Sequence, residues 1–206
     1  MEENRMIKNV SLKRLLLLAF ALSGMAALIY EVVWIRALKL IFGSTAFSIS
    51  IMFTTLFFGF ALGSYLLRKK ADTHPKPVYL LFLIELIIGV YGIALIFFLK
   101  ILPLLVASLA TPIKYVIVFL LLLTPATLLG ALWPIFYKVY VKNIEMIGKD
   151  SGILYFANSM GAAFGAFASG FILIPLIGVT TTSLFASVIN ISIALAFFSI
   201  RKEGEQ

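Results

Sequence analysis

The sequence predicts an all-α integral membrane protein: one domain over residues 1–206, built of six transmembrane helices in a three-plus-three inverted repeat, with both termini cytoplasmic. Three observations carry this reading. Of the 206 residues, 62% are apolar and 13% charged, whereas soluble domains run near roughly half apolar and a quarter charged. The apolar residues fall into six runs, each close to the ~20 residues that cross a hydrocarbon layer about 30 Å thick. Lysines and arginines gather in alternate connections, as the positive-inside rule requires.

Composition also excludes several chemistries. There is no cysteine and a single histidine, His74, so neither a disulfide scaffold nor a thiolate or histidine metal site is expected, and no metal or cofactor is assigned. The net charge of +8 would suit nucleic acid, but the same excess is what cytoplasmic connections carry. The expected surroundings are therefore the lipid bilayer of the cell membrane, with no nucleic-acid partner.

The first helix, Leu15–Leu38, follows Lys8, Lys13 and Arg14, which gives it the look of a secretory signal. Its apolar run continues to Trp34, well past the roughly 7–15 residues of a signal core, so it is read as a membrane helix. The others are placed at Ser44–Leu67, Val78–Leu99, Ile113–Tyr137, Ser151–Leu176 and Val179–Ile200, each bounded by charge, glycine or proline. Arg5, Lys8, Lys13 and Arg14 precede helix 1, and Arg68, Lys69, Lys70 and Lys76 follow helix 2. Lys138, Lys142 and Lys149 fill the fourth connection, and Arg201 and Lys202 follow helix 6. The opposite connections hold only Lys39, Lys100 and Lys114. An odd number of helices would put the C-terminal basic pair outside, so charge and hydropathy agree on six. The last connection, within IPLIGVTTT, is expected to turn at Pro175 and Gly178.

Helix 2 contains GFALG (Gly59–Gly63) and helix 5 contains GAAFG (Gly161–Gly165), while helices 3 and 6 each carry one strongly polar residue, Glu85 and Asn190. Copies separated by three helices have opposite orientation in the bilayer, the inverted repeat of many transporters. The plain alternative is that small residues recur wherever membrane helices approach closely.

Several stretches together resemble the membrane portion of the fused major-facilitator/spermidine-synthase family, membrane-associated relatives of polyamine aminopropyltransferases. They are Ser23–Leu38, Gly59–Leu66, Leu83–Leu95, Leu122–Pro134 and Leu154–Gly178. The resemblance implies a half-major-facilitator-like bundle, and it implies polyamines as the substrate class. Members of that family carry a Rossmann-like catalytic domain beside the helices. Here the chain reaches Gln206 soon after helix 6, with no soluble strand–glycine loop–helix unit, so no enzyme activity is expected. The segment Gly63–Asp72 is similar to the family's cytoplasmic signature, which nominates Arg68, Lys69 and Asp72 as a gate, although the order of acid and base differs. An ordinary positive-inside loop explains it equally well.

Charged groups inside the helices nominate the site, since each costs on the order of 2.5 kcal/mol or more at membrane depth. At 1.5 Å per residue, Glu31 sits about 24 Å along helix 1 and Arg36 about 31 Å, whereas Glu85 and Asn158 each sit about 10 Å into their own helices. Glu31 is read as a cation or proton acceptor, or else as half of an ion pair with Lys39, Lys114 or a second subunit's Arg36. Trp34 belongs either to an interfacial aromatic belt or to a cation–π wall. Glu85 either binds a cation or is a protonated acid bonded to Asn158 or Tyr155. Asn158 and Asn190 suit interhelical hydrogen bonding or ligand contact. Pro125 and Pro134 free backbone carbonyls, which can line a cavity or merely bend helix 4. Two functions follow. One is a homodimeric half-size carrier for a cationic small molecule such as a polyamine; the other is a non-transporting anchor for a separate aminopropyltransferase.

Overall fold

The computed structural model describes the backbone of residues 2–141 and 143–204 and the side chains of residues 12–141 and 143–200. The basic residues Arg5, Lys8, Lys142, Arg201 and Lys202, which the charge argument uses, lie outside the described side chains. The regular structure is helical: α1 (Glu2–Phe42), α2 (Thr45–Thr73), α3 (Pro77–Leu105), α4 (Thr111–Tyr140), α5 (Ile147–Ala168) and α6 (Ile174–Gly204). A 3₁₀ turn, Ile144–Met146, precedes α5, and a π-helical turn, Ser169–Leu173, joins α5 to α6. Five helical stretches are long and apolar enough to cross a membrane, the fifth being the 57 residues Ile144–Ile200. That fifth stretch is interrupted at Gly178, where φ is 78° and ψ 169°, a conformation that costs glycine little and other residues much.

The helices outrun the apolar segments. Hydropathy marks hydrocarbon, while lysine and arginine are good helix formers that carry a helix on into the headgroup layer. Thus α2 continues through Arg68, Lys69, Lys70 and Asp72 to Thr73, and Gly63–Asp72 is helix rather than the loop the sequence suggests. It stops because His74 precedes Pro75 and takes the extended conformation (φ −70°, ψ 129°) that a following proline imposes. Pro77 then opens α3 at its first turn, where the missing N–H costs nothing. Gly43, at φ 66°, closes the tight turn from α1 to α2.

The helices pair through their smallest residues. Gly59 and Gly63 of α2 lie on Ala126, Thr127 and Ala131 of α4, and Gly161 and Gly165 of α5 lie on the backbone of Ala21 and Met25 in α1. Gly89 of α3 meets Ile191 and Ser187 of α6. Such spacing lets backbones approach closely where lipid leaves no hydrophobic gain between helices. α1 is the hub, packing against every other helix. α5 runs beside it in the same sense, with Lys13 meeting Asp150, Ala21 meeting Gly161 and Arg36 reaching Gly170. α6 runs beside it in the opposite sense, since Tyr30 meets Ser187 while Arg36 shares a groove with Val179 and Thr180. The chain therefore reverses direction around Gly178.

Pro125 and Pro134 of α4 sit inside a continuous helix. Proline at position i removes the bond to the carbonyl at i−4, which here frees Leu121 O and Gly130 O. Tyr91 of α3 donates to Leu121 O at 2.8 Å, and Ser64 of α2 donates to Gly130 O at 2.9 Å. The freed carbonyls thus bind neighbouring helices to α4. Tyr91→Phe is expected to lower stability by about 1 kcal/mol in reversible unfolding. Pro125→Ala restores an intrahelical donor for Leu121 O, so in that background the same change should cost less than half as much.

Candidate functional site

α1 presents two different polar faces. Toward α3 and α6 it contributes Ser23, Tyr30 and Trp34, and α6 answers with Ser183, Ser187 and Asn190, spaced so that all three lie on one side of the helix. Glu85 of α3 is 0% exposed, and Asn190 Nδ2 donates to its Oε2 at 2.6 Å. The Ser23 hydroxyl stands beside the same carboxyl. Tyr30 donates to Ser187 Oγ at 2.9 Å, and Ser187 donates to Ser183 O at 3.2 Å. This side is not fully satisfied: Trp34 Nε1, Glu85 Oε1, Ser183 Oγ and Asn190 Oδ1 are buried without a hydrogen-bond partner.

These contacts correct three sequence expectations. Glu85 and Asn158 share a depth but not a side of α1, for Asn158 of α5 donates to Phe20 O at 3.0 Å. Tyr155 is also not a partner of Glu85; it is 61% exposed, with its ring 6.1 Å from that of Trp133. Trp34 does not belong to an aromatic belt, because it is 1% exposed and stacks on Tyr30 at 5.1 Å. The helix in which it sits is the hub, so interface depth does not bring it to lipid.

The second face of α1 looks toward α2, α4 and α5. A cavity of about 50 Å³ lies there, walled by Gly24, Ala27 and Leu28 of α1, Phe60 of α2, Trp133 of α4 and Asn158 of α5. Glu31 falls on this same stripe, three and four residues beyond Leu28 and Ala27. It is 4% exposed, and among the described residues it has no hydrogen bond or ion pair. The expected pairing with Lys114 is absent, since Lys114 Nζ donates to Ala107 O at 3.4 Å, and Lys39 is exposed beyond the end of the stripe. Arg36 points away from Glu31 and reaches Gly170 O in the π-helical turn at 3.4 Å. A space of 50 Å³ admits a few water molecules, far below the roughly 300 Å³ at which ligand pockets begin.

The proposed gate residues lie on the last turns of α2. Arg68 covers the Tyr65 ring, 3.5 Å from its centroid, and donates to Tyr65 O. Asp72 is exposed and makes no ion pair, so among the described residues these side chains form no latch between helices. The contact that does tie helix ends together is Lys13 Nζ to Asp150 Oδ2 at 3.2 Å, with Lys13 also 4.9 Å above the Tyr140 ring. The sequence reading passed over it; its signal is an acid that closes the basic stretch Lys138–Asp150. Among the described residues no three His, Cys, Asp or Glu side chains group as a metal site. Comparisons with protein-family profiles, with characterised proteins and with solved structures find no match to this chain.

Proposed function

We propose that the chain crosses the membrane six times as a three-plus-three inverted repeat and serves as one half of a homodimeric carrier for a cationic small molecule, with Glu31 as the cation's ligand. The break and reversal at Gly178 support the sixth crossing, because 57 residues of unbroken helix at 1.5 Å each would run about 85 Å, more than twice a bilayer core. The packing supports the repeat. Exchanging α1 with α4, α2 with α5 and α3 with α6 turns the α2–α4 pair into the α5–α1 pair and leaves α3–α6 unchanged, and these are the three most extensive pairings. Both glycine pairs, Gly59 with Gly63 and Gly161 with Gly165, seat on the corresponding partner helices.

Glu31 carries the functional reading. A carboxyl 4% exposed without a partner is costly to keep, and a positive ligand that arrives from outside the chain removes the cost. The cavity walled by Gly24, Ala27 and Leu28 on the same side of α1 is too small for a polyamine, so the substrate path lies between two copies, as in transporters built from facing halves. Polyamines are the nominated substrate from the resemblance of the helices to the spermidine-synthase-linked family. The basic connections support cytoplasmic placement of both termini, and the plasma membrane is part of the same proposal. Uptake of labelled spermidine into proteoliposomes should fall at least tenfold for Glu31→Gln while the variant melts as wild type does. Equal uptake by the variant, or no uptake by the wild-type dimer, overturns the proposal.

A second reading has its own observation. Glu85 is enclosed and held by Asn190, so one of the two intramembrane acids is a packing element, and the exposed basic ends of α2 and α4 suit a docking platform. On this reading the chain anchors a separate aminopropyltransferase. A pull-down that recovers such an enzyme, and loses it when Arg68, Lys69 and Lys70 are neutralised, favours the anchor.

A further inference from the structure

At the end of the bundle where α1 and α3 finish and α6 begins, a groove of about 290 Å³ is lined by Arg36, Leu40, Ile96, Lys100, Val179 and Thr180, among others. It joins two cations to an apolar wall. Neither cation has a carboxylate partner among the described residues, where the ion pair is Lys13 with Asp150. Arg36 spends one N–H on a long bond to Gly170 O, 3.4 Å away, and Lys100 lies 5.4 Å from the centroid of the exposed Phe97 ring. A guanidinium has five donors in a planar fork suited to phosphate, so most of the recognising capacity of Arg36 is unspent. The volume stands at the lower bound of ligand pockets.

We propose that this groove binds an anionic phospholipid drawn from the surrounding leaflet. The phosphodiester lies between Arg36 and Lys100, with the Thr180 hydroxyl as a further donor, and an acyl chain covers Leu40 and Val179. An inorganic anion would satisfy the cations but leave the apolar wall uncovered, whereas an amphiphile answers both halves. The bound lipid clasps three chain segments that meet at this end: the last turn of α1, the last turns of α3, and the start of α6 just after the reversal at Gly178. Arg36 extends the clasp to the π-helical turn through Gly170 O.

The test is native mass spectrometry of the purified full chain in mild detergent, with phosphatidylglycerol or phosphatidylcholine added at equal concentration. Two basic contacts near a membrane surface correspond to roughly a thirty-fold preference for the anionic lipid. Wild type should show that preference, R36K/K100R should keep most of it, and R36Q/K100Q should lose it. Inorganic phosphate in excess should not displace the lipid. Equal retention of both lipids, an unchanged preference in R36Q/K100Q, or full displacement by phosphate overturns the proposal, the last by assigning the site to a free anion. Should R36Q/K100Q fail to fold, K100Q alone carries the test: about a five-fold loss supports the site, and no loss overturns it.

Discussion

Gly161→Val should lower stability by about 3 kcal/mol, the upper range for overpacking a tight interface, and Gly63→Val should do the same. At Gly161 an added Cβ runs into the carbonyl oxygen, carbonyl carbon and Cα of Ala21, and at Gly63 it runs into Thr127 O and Ala131 N. These are backbone atoms, so no rotamer change relieves the collision. Relief requires α5 to move off α1, or α2 off α4, which opens the whole seam. Gly152→Ala is the control, since nothing lies within 4 Å of a Cβ there and alanine is the better helix former; it should hold stability or raise it by up to about 1 kcal/mol. Reversible unfolding in mixed micelles reads all three. If Gly161→Val unfolds like wild type, α1 and α5 do not pack on these glycines. Matched losses at Gly161 and Gly63 would agree with an inverted repeat, because one interface is then the other turned over.

The same glycines were legible in the sequence, as were the helical segments and the turn at Gly178. The reason is that spacing and hydropathy are one-dimensional: they report length along an element and depth in the bilayer. Position around the bundle is a different coordinate, and there the sequence reading failed. Glu85, Asn158 and Asn190 were placed correctly as polar groups inside helices, but depth alone paired Glu85 with Asn158. The structure pairs it with Asn190, and Asn158 instead caps Phe20 O across α1. Trp34 went the same way, because an interfacial depth on a peripheral helix means lipid while the same depth on the hub means burial. Nothing in the local sequence around α1 says that it touches all the other helices. The carbonyls freed by Pro125 and Pro134 were foreseen, yet their donors, Tyr91 and Ser64, belong to other helices and so were not. The Lys13–Asp150 contact joins residues on two helices that run in the same sense, which charge counting by connection does not resolve.

Asn190→Leu should cost about 2 kcal/mol, whereas Glu31→Gln should cost none. Asn190 supplies the hydrogen bond that the fully buried Glu85 receives. Its removal leaves the carboxyl with only the neighbouring Ser23 hydroxyl, and a buried polar group short of its hydrogen bonds costs about 1–3 kcal/mol. Glu85→Gln keeps an acceptor facing Asn190 Nδ2, so its cost should stay below about 1 kcal/mol. Glu85→Leu combined with Asn190→Leu removes both partners and should be nearly neutral, because apolar replacement of a complete pair discards the desolvation penalty along with the bond. The coupling in that cycle should therefore approach in size the sum of the two single-variant losses. Glu31 has no hydrogen-bond or ion-pair partner to orphan among the described residues, so Glu31→Gln should leave stability unchanged or higher, while removing the carboxyl proposed as the cation's ligand. A stabilising change that abolishes function is what a binding site kept at the expense of stability produces. If Glu31→Gln instead destabilises the chain as much as Asn190→Leu does, Glu31 has a structural partner in the membrane-embedded protein, and the distinction between a packing acid at Glu85 and a ligand-binding acid at Glu31 collapses.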